Sequence, residues 1–143
     1  MIGFTIDNVE VPGLDPEFFV LWLNKVCFLE GKECGDIEVV FVSDEALLTM
    51  NQQYLNHDYY TDIITFDYSE ENVVSGDLFI SIDRIIDNAS SMGLDYLSEL
   101  KRVCVHGVLH LCGYKDKNEA DEREMREKED FYIDKYVPRE TID

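Results

Sequence analysis

Residues 105–121 have the sequence VHGVLHLCGYKDKNEAD. They contain the end of an apolar helix and the acidic segment that follows it, and our interpretation of the fold starts from them. His106 and His110 stand four residues apart, which places both imidazoles on one face of a helix. Gly113 can end that helix in a left-handed turn and fold the chain back over the same face. The stretch therefore predicts that Asp116 comes close to the two imidazoles.

The segments on either side predict alternating strands and helices. Asp15 as N-cap and Pro16 at the first helical position indicate a helix that Gly31 stops. Ser75 and Gly76 indicate a turn before a strand. Strands and helices are expected within residues 4–11, 15–31, 36–43, 43–56, 63–66, 76–83, 84–93, 95–113 and 118–136. The order β-α-β-α-β-β-α-α-α predicts an α+β fold: a single domain over residues 1–143, with a mixed four-stranded β-sheet packed by helices.

The composition bounds the class of protein. The chain has 143 residues, of which 45% are hydrophobic and 12% aromatic, and this suits one globular domain with a real core. No apolar run approaches the roughly 18 residues needed to cross a bilayer, and the N-terminus lacks the features of a signal peptide. We expect a cytoplasmic protein with no membrane partner. Its cysteines are expected to be reduced and mostly buried.

The net charge argues against direct binding of nucleic acid. At −19 the chain repels polyanions over long range. The Lys and Arg side chains that release counterions from phosphates are scarce. On composition alone, nucleic acid is therefore an unfavourable partner.

The histidine pair favours a metal site. Two His and one carboxylate leave an open position for water, which is the arrangement of a catalytic zinc site rather than a structural one. Cys112 is a weak ligand candidate because a two-residue step turns it away from His110. Gly107 occupies the position of the Glu in the zinc-peptidase pattern His-Glu-x-x-His, so a peptidase of that type is not expected, and Gly107 is interpreted as open space beside the metal. Two ordinary core or surface histidines remain the alternative.

Read together, residues 106–116, HGVLHLCGYKD, resemble the signature of the YbeY-type endoribonucleases, which are rRNA maturation factors. Further matching pieces, in the same order, are LLTMNQQYL near residues 47–55, TDIITF at residues 61–66 and SGDLFIS at residues 75–81. The resemblance implies a cytoplasmic, metal-dependent enzyme that cuts single-stranded RNA in ribosomal RNA processing, 16S rRNA maturation and ribosome quality control. It implies one Zn²⁺ per chain, held by His106, His110 and Asp116. Its partners would be ribosomal RNA, the small ribosomal subunit and the associated proteins.

The chain departs from the family pattern at two places. The third ligand is commonly His but here is Asp116, preceded by Lys115 where the family usually has Asp. A carboxylate can ligate zinc, but its charge weakens the Lewis acidity of the ion. Leu55 stands where the family usually carries an Arg. The side chains that could replace that Arg as phosphate contacts are Lys115, Lys117, His57 and Arg84.

Two other functions stay open from the sequence. One is a zinc-dependent hydrolase that acts on a small molecule. The other is a non-catalytic ribosome-assembly factor in which the metal only braces the helix junction, an interpretation that Leu55 and the acidity both favour.

Overall fold

The computed structural model describes residues 1–57 and 59–135. Four strands and five helices occur in this part of the chain, in the predicted order. They are β1 (Ile2–Ile6), α1 (Pro16–Leu29), β2 (Glu33–Val42), α2 (Asp44–Leu55), β3 (Ile63–Asp67), β4 (Val73–Ser81), α3 (Ile82–Met92), α4 (Tyr96–Leu111) and α5 (Glu119–Lys135). The expectation of an α+β fold with a mixed four-stranded sheet is confirmed.

The sheet has the strand order β1-β2-β4-β3. The β1/β2 and β2/β4 pairs are parallel, whereas β3 runs antiparallel to β4 and forms one edge. Parallel neighbours need crossover connections, and α1 and α2 lie within these connections. The edge position of β3 matters for function because its outer side faces the candidate site.

Most of the core lies on one face of the sheet. There the apolar sides of α1 and α4 meet the sheet, and Trp22 of α1, which is fully buried, donates from Nε1 to the carbonyl of Tyr132 in α5 at 3.2 Å. A smaller cluster on the other face contains Val42, Leu47 and Ile64, and α2 covers it. The larger core fixes α4, which carries the two histidines.

The helix boundaries follow the capping signals. Asp15 accepts from the backbone N–H of Phe18, and Gly31 has a φ of +75°, as the predicted start and stop of α1 require. The cap of α2 is Ser43, whose hydroxyl accepts from the N–H of Ala46 at 3.1 Å.

The turn predicted at Ser75 and Gly76 is wrong, because both residues lie inside β4. The β3/β4 hairpin instead closes between Glu70 and Val73, and Glu71 adopts a φ of +53°. Gly76 is needed for close packing rather than for a turn. A Cβ at this position would lie 2.5 Å from the carbonyl oxygen of Phe66.

Candidate metal centre

Helix α4 holds the two histidines at the border between the core and solvent. Its N-cap, Asp95, accepts from the N–H of Ser98 at 3.1 Å. The apolar side of the helix is buried, while the side chains of His106 and His110 keep 23% and 25% of their surface exposed. The rings stand nearly perpendicular, with centroids 4.7 Å apart. Both imidazoles can therefore be reached from outside.

The chain reverses direction directly after α4. Gly113 adopts a φ of +112°, and the N–H of Tyr114 donates to the carbonyl of Leu109 at 3.1 Å. This bend brings Asp116 back over the helix. Its Oδ2 lies 3.3 Å from Nε2 of His110 and 3.5 Å from Nε2 of His106. The predicted return of the chain onto the histidine face is thus present.

The three side chains offer a donor set that fits a divalent metal ion. One ligand atom from each of His106, His110 and Asp116 lies within 4.8 Å of the other two. Zinc binds imidazole nitrogen and carboxylate oxygen at about 2.0–2.2 Å, so one ion can sit between such atoms. Two nitrogens and one oxygen also leave a fourth coordination position free for water or substrate.

The remaining ring nitrogens have partners that orient the donors. Nδ1 of His106 lies 2.6 Å from Oε2 of Glu129, and Nδ1 of His110 lies 3.0 Å from the carbonyl of Tyr114. An ionised carboxylate and a carbonyl only accept hydrogen bonds, so in the neutral rings each Nδ1 donates. The lone pair is then on Nε2, the nitrogen that faces Asp116. Metal-ligating histidines typically have this type of outer partner.

Charge pairing keeps Glu129 ionised although it is buried. Burial alone would raise the pKa of its carboxyl, but hydrogen bonds from His106 and Arg102 outweigh burial and lower it. Arg102 bonds Oε1 of Glu129 at 2.8 Å and Oδ1 of Asp130 at 2.7 Å. Burial alone would lower the pKa of His106. The carboxylates of Glu129, Asp116 and Asp62 raise this pKa by more than burial lowers it, so the net shift is upward.

Two clefts meet at the donor atoms. One, of about 400 Å³, runs along the outer edge of β3 and contains Leu55 together with the three donor residues. The other, of about 350 Å³, lies between α4 and α5 and contains His106 and Asp116 but not His110. Substrate can therefore approach the donor atoms from the β3 side.

The four predicted phosphate contacts lie outside these two clefts. Arg84 is bonded by Asp44, the first residue of α2. His57 stacks on Tyr59 and shares a hydrogen bond with its hydroxyl. Lys115 lines a separate cleft with Glu30 and Lys32, and Lys117 is exposed. The role of these four side chains as phosphate contacts stays a prediction.

The interpretation of Gly107 as open space beside the metal is wrong. Gly107 is buried and faces the sheet, where a Cβ would lie 2.8 Å from Cδ1 of both Ile63 and Leu78. The glycine allows α4 to pack closely on β3 and β4. Cys112 likewise does not join the donor set. It is buried next to Cys27, and all four cysteines are free thiols, as expected.

Sequence reasoning missed the residues that support the site. Neither Glu129, which bonds His106, nor Arg102, which bonds Glu129, is identified by the patterns described above. One signal was available: Glu99, Arg102, His106 and His110 follow helical spacing and form a polar stripe on a helix whose other residues are mostly apolar. Such a stripe on a buried helix indicates a cleft or a site.

Comparisons with known proteins agree on one family. The family model described as Endoribonuclease YbeY matches residues 17–137. A protein of Parabacteroides distasonis named Endoribonuclease YbeY is 46% identical over 128 residues, which is 90% of each chain. A Porphyromonas gingivalis protein of the same name is 46% identical over 141 residues, covering 99% of this chain and 92% of its own. A Thermotoga maritima protein of known solution structure has a TM-score of 0.65 and 28% identity, and the match covers 93% of this chain and 87% of that one.

Proposed function

The chain belongs to the Endoribonuclease YbeY family, and we propose that it is a zinc-dependent endoribonuclease that cuts single-stranded RNA during maturation of 16S ribosomal RNA and in ribosome quality control. Membership favours this function over the small-molecule hydrolase and the non-catalytic assembly factor. We place it in the cytoplasm, acting on ribosomal RNA of the small subunit. No helix within residues 1–57 and 59–135 has the length and apolar character of a membrane span.

One observation carries the proposal: two imidazole Nε2 atoms and one carboxylate oxygen converge at the mouth of a cleft. His106, His110 and Asp116 would hold the zinc ion. When bound, this ion supplies a Lewis acid that polarises water or a phosphoryl oxygen. The carboxylate of Asp116 contributes negative charge to the donor set and so moderates that polarisation. Glu129 and the carbonyl of Tyr114 would hold both rings in the tautomer whose Nε2 is free to bind the ion.

The free edge of β3 offers a surface that positions the RNA strand. In an antiparallel ladder every second residue forms backbone hydrogen bonds with the neighbouring strand. Asp62 and Tyr68 are hydrogen-bonded to Ser81 and Ser75, so the residues with even numbers between them are the ones that bond β4. The backbone N–H and C=O groups of Thr65 and Asp67 consequently point away from β4, towards the cleft of about 400 Å³, whereas the carbonyl of Ile63 on the same side accepts from the hydroxyl of Thr61 at 3.5 Å. A cleft of this size accepts a nucleotide that is splayed out of a single strand.

The charge of −19 limits how the enzyme finds its substrate. Few cations are available for phosphate contacts, so affinity for free RNA should be weak and should fall steeply with salt. We expect recognition through the ribosome and its proteins. Tight binding of isolated RNA at high salt would contradict this part of the proposal.

Replacement of His110 by Ala tests the function. It removes one of three donors, so metal content and cleavage of a single-stranded ribosomal RNA fragment should be lost together. His57→Ala is the matched control because His57 is exposed and lies outside both clefts, and this variant should keep metal and activity. If metal-free wild-type protein cut the fragment at the full rate, the role assigned to zinc would be wrong.

A further inference from the structure

Glu30 connects the end of α1 to two other parts of the fold. Its backbone N–H donates to the carbonyl of Val26 at 3.0 Å and caps the helix, so its side chain starts from a fixed point. The carboxylate keeps only 9% of its surface exposed. Oε1 accepts from the hydroxyl of Tyr114 at 2.7 Å, whereas Oε2 accepts from the hydroxyl of Tyr132 and from Nζ of Lys128. One oxygen therefore holds the turn after α4, and the other holds α5.

Tyr114 lies within the turn that builds the candidate metal centre. Its carbonyl accepts from Nδ1 of His110 at 3.0 Å, and Asp116 follows it by two residues. The position of this one residue consequently affects two of the three donors. It orients the ring of His110, and it is the point from which the chain reaches Asp116.

The segment that carries Asp116 has little backbone support of its own. The N–H groups of Gly113 and Tyr114 still donate to carbonyls of α4, at 3.0 and 3.1 Å. Among the residues that the structure describes, the N–H groups of residues 115–117 donate to no backbone carbonyl. The side chain of Tyr114 is therefore the principal anchor between this segment and the rest of the fold.

The ring of Tyr114 is held at its face as well as at its hydroxyl. It is half-buried and packs against the larger core cluster. Nζ of Lys128 lies 5.6 Å from the centroid of the ring and also bonds Glu30 at 3.2 Å. Glu30 thus fixes both the tyrosine and the lysine that covers it.

We infer that Glu30 is a positioning residue of the candidate metal centre, which acts through Tyr114 on the donors His110 and Asp116. The inference rests on the metal part of the proposed function and not on its RNA substrate. The path has two short links, from the carboxylate to the hydroxyl of Tyr114 and from the carbonyl of Tyr114 to the imidazole of His110. Loss of the first link leaves all three donors in the chain but frees the turn that aligns them.

Two tyrosine variants separate this role from a general contribution to stability. Tyr114→Phe removes the hydrogen bond to Oε1 and keeps the ring. Tyr132→Phe removes a hydrogen bond from the same carboxylate, but on the side of α5, and so is the matched control. Both changes remove one hydroxyl that bonds Glu30, and only Tyr114 belongs to the turn with the donors.

Cobalt is a suitable probe because Co²⁺ enters zinc sites and its visible absorption reports the geometry of its ligands. Wild type should bind one equivalent, and His110→Ala should bind none. Tyr114→Phe should bind Co²⁺ about tenfold more weakly in competition with a chelator, at the lower end of the range for loss of an outer partner, and with a changed absorption spectrum. Tyr132→Phe should keep the affinity and the spectrum of the wild type. All proteins are compared at a temperature at which circular dichroism shows them to be folded.

Glu30→Met tests the carboxylate itself, because methionine has a similar length and no acceptor oxygen. It should weaken Co²⁺ binding about as much as Tyr114→Phe, and the double variant should lose no further affinity since both changes break the same link. Wild-type affinity and spectrum in Tyr114→Phe would overturn the inference and leave the metal centre in place. An equal loss in Tyr132→Phe would also overturn it and assign the effect to stability. If wild type bound no Co²⁺, the inference and the zinc site would both be wrong.

Discussion

Oε2 of Glu129 lies 2.6 Å from Nδ1 of His106, although the two residues belong to different helices, α5 and α4. The contact links the charged C-terminal helix to the candidate metal centre. Arg102 holds the other oxygen of the same carboxylate at 2.8 Å, so the position of Glu129 is fixed from two sides. A donor of the candidate metal centre is therefore oriented by a residue 23 positions further along the chain.

Glu129→Gln should weaken metal binding at the candidate centre without unfolding the protein. The substitution keeps the size of the side chain but removes the negative charge that fixes the Nδ1–H tautomer of His106. Loss of such an outer partner typically lowers metal affinity about 10–100-fold. Competition with a chelator measures the change. Asp130→Asn is the control because it removes the other partner of Arg102, and an equal loss in this variant would assign the effect to Arg102 instead of His106.

Glu30 should make the stability of the fold depend on pH in the acid range. Its carboxylate accepts from the hydroxyl of Tyr114 at 2.7 Å and from Nζ of Lys128 at 3.2 Å, and the hydroxyl of Tyr132 also bonds it. Burial alone would raise the pKa of Glu30, but these hydrogen bonds outweigh burial and lower it. A lowered pKa means that the ionised group stabilises the fold above the unfolded pKa of about 4.3, and that this contribution is lost as the pH falls through the folded pKa.

Glu30→Gln should consequently lower the free energy of unfolding by about 1–3 kcal/mol near neutral pH. The difference from wild type should shrink as the pH falls below about 4. Urea denaturation across the acid range measures it, and Glu33→Gln, which changes an exposed carboxylate of β2, should follow the wild type. A difference between Glu30→Gln and wild type that did not change with pH would show that ionisation of Glu30 contributes nothing.

Local signals in the sequence predict most of the fold. The order of elements follows from caps such as Asp15 and Asp95 and from the apolar periods between them, because these signals act over a few residues. The hairpin between β3 and β4 was misplaced since Gly76 resembles a turn residue. Its real role depends on Phe66 of the paired strand and Leu111 of α4, which approach it only when the chain is folded.

The candidate site was predictable only where it is local. His106, His110 and Asp116 are contained in one helix end and the turn after it, so spacing alone brings them together. Glu129 and Asp62 approach them through the packing of α5 and β3 on α4, which no short-range pattern encodes. Gly107 was misread for the same reason, since its neighbours Ile63 and Leu78 belong to the sheet.

Gly76→Ala should destabilise the sheet beneath the site. A Cβ there would lie 2.5 Å from the backbone oxygen of Phe66 and 2.7 Å from Cδ2 of Leu111, so the backbone of β3 must shift and the side chain of Leu111 must repack. Overpacking of this type costs about 1–3 kcal/mol, and chemical denaturation measures the loss. Gly3→Ala is a suitable control in β1, because a Cβ there would meet only the carboxylate end of the partly exposed Glu38. Equal stability of the two variants would mean that Gly76 has more room than the structure shows.

Leu55→Arg should strengthen RNA binding, because Leu55 lines the same cleft as the three donor residues and is 43% exposed. A guanidinium at this position can bond a phosphate of a strand that lies along β3, which should increase affinity about tenfold at low salt. The plot of log affinity against log salt should steepen by about 0.7, the value expected for one additional phosphate contact with a single strand. Fluorescence anisotropy with a labelled RNA at several salt concentrations measures both quantities. Leu55→Met adds no charge and should have the same slope as the wild type. If Leu55→Arg also had the slope of the wild type, the RNA backbone would not pass residue 55.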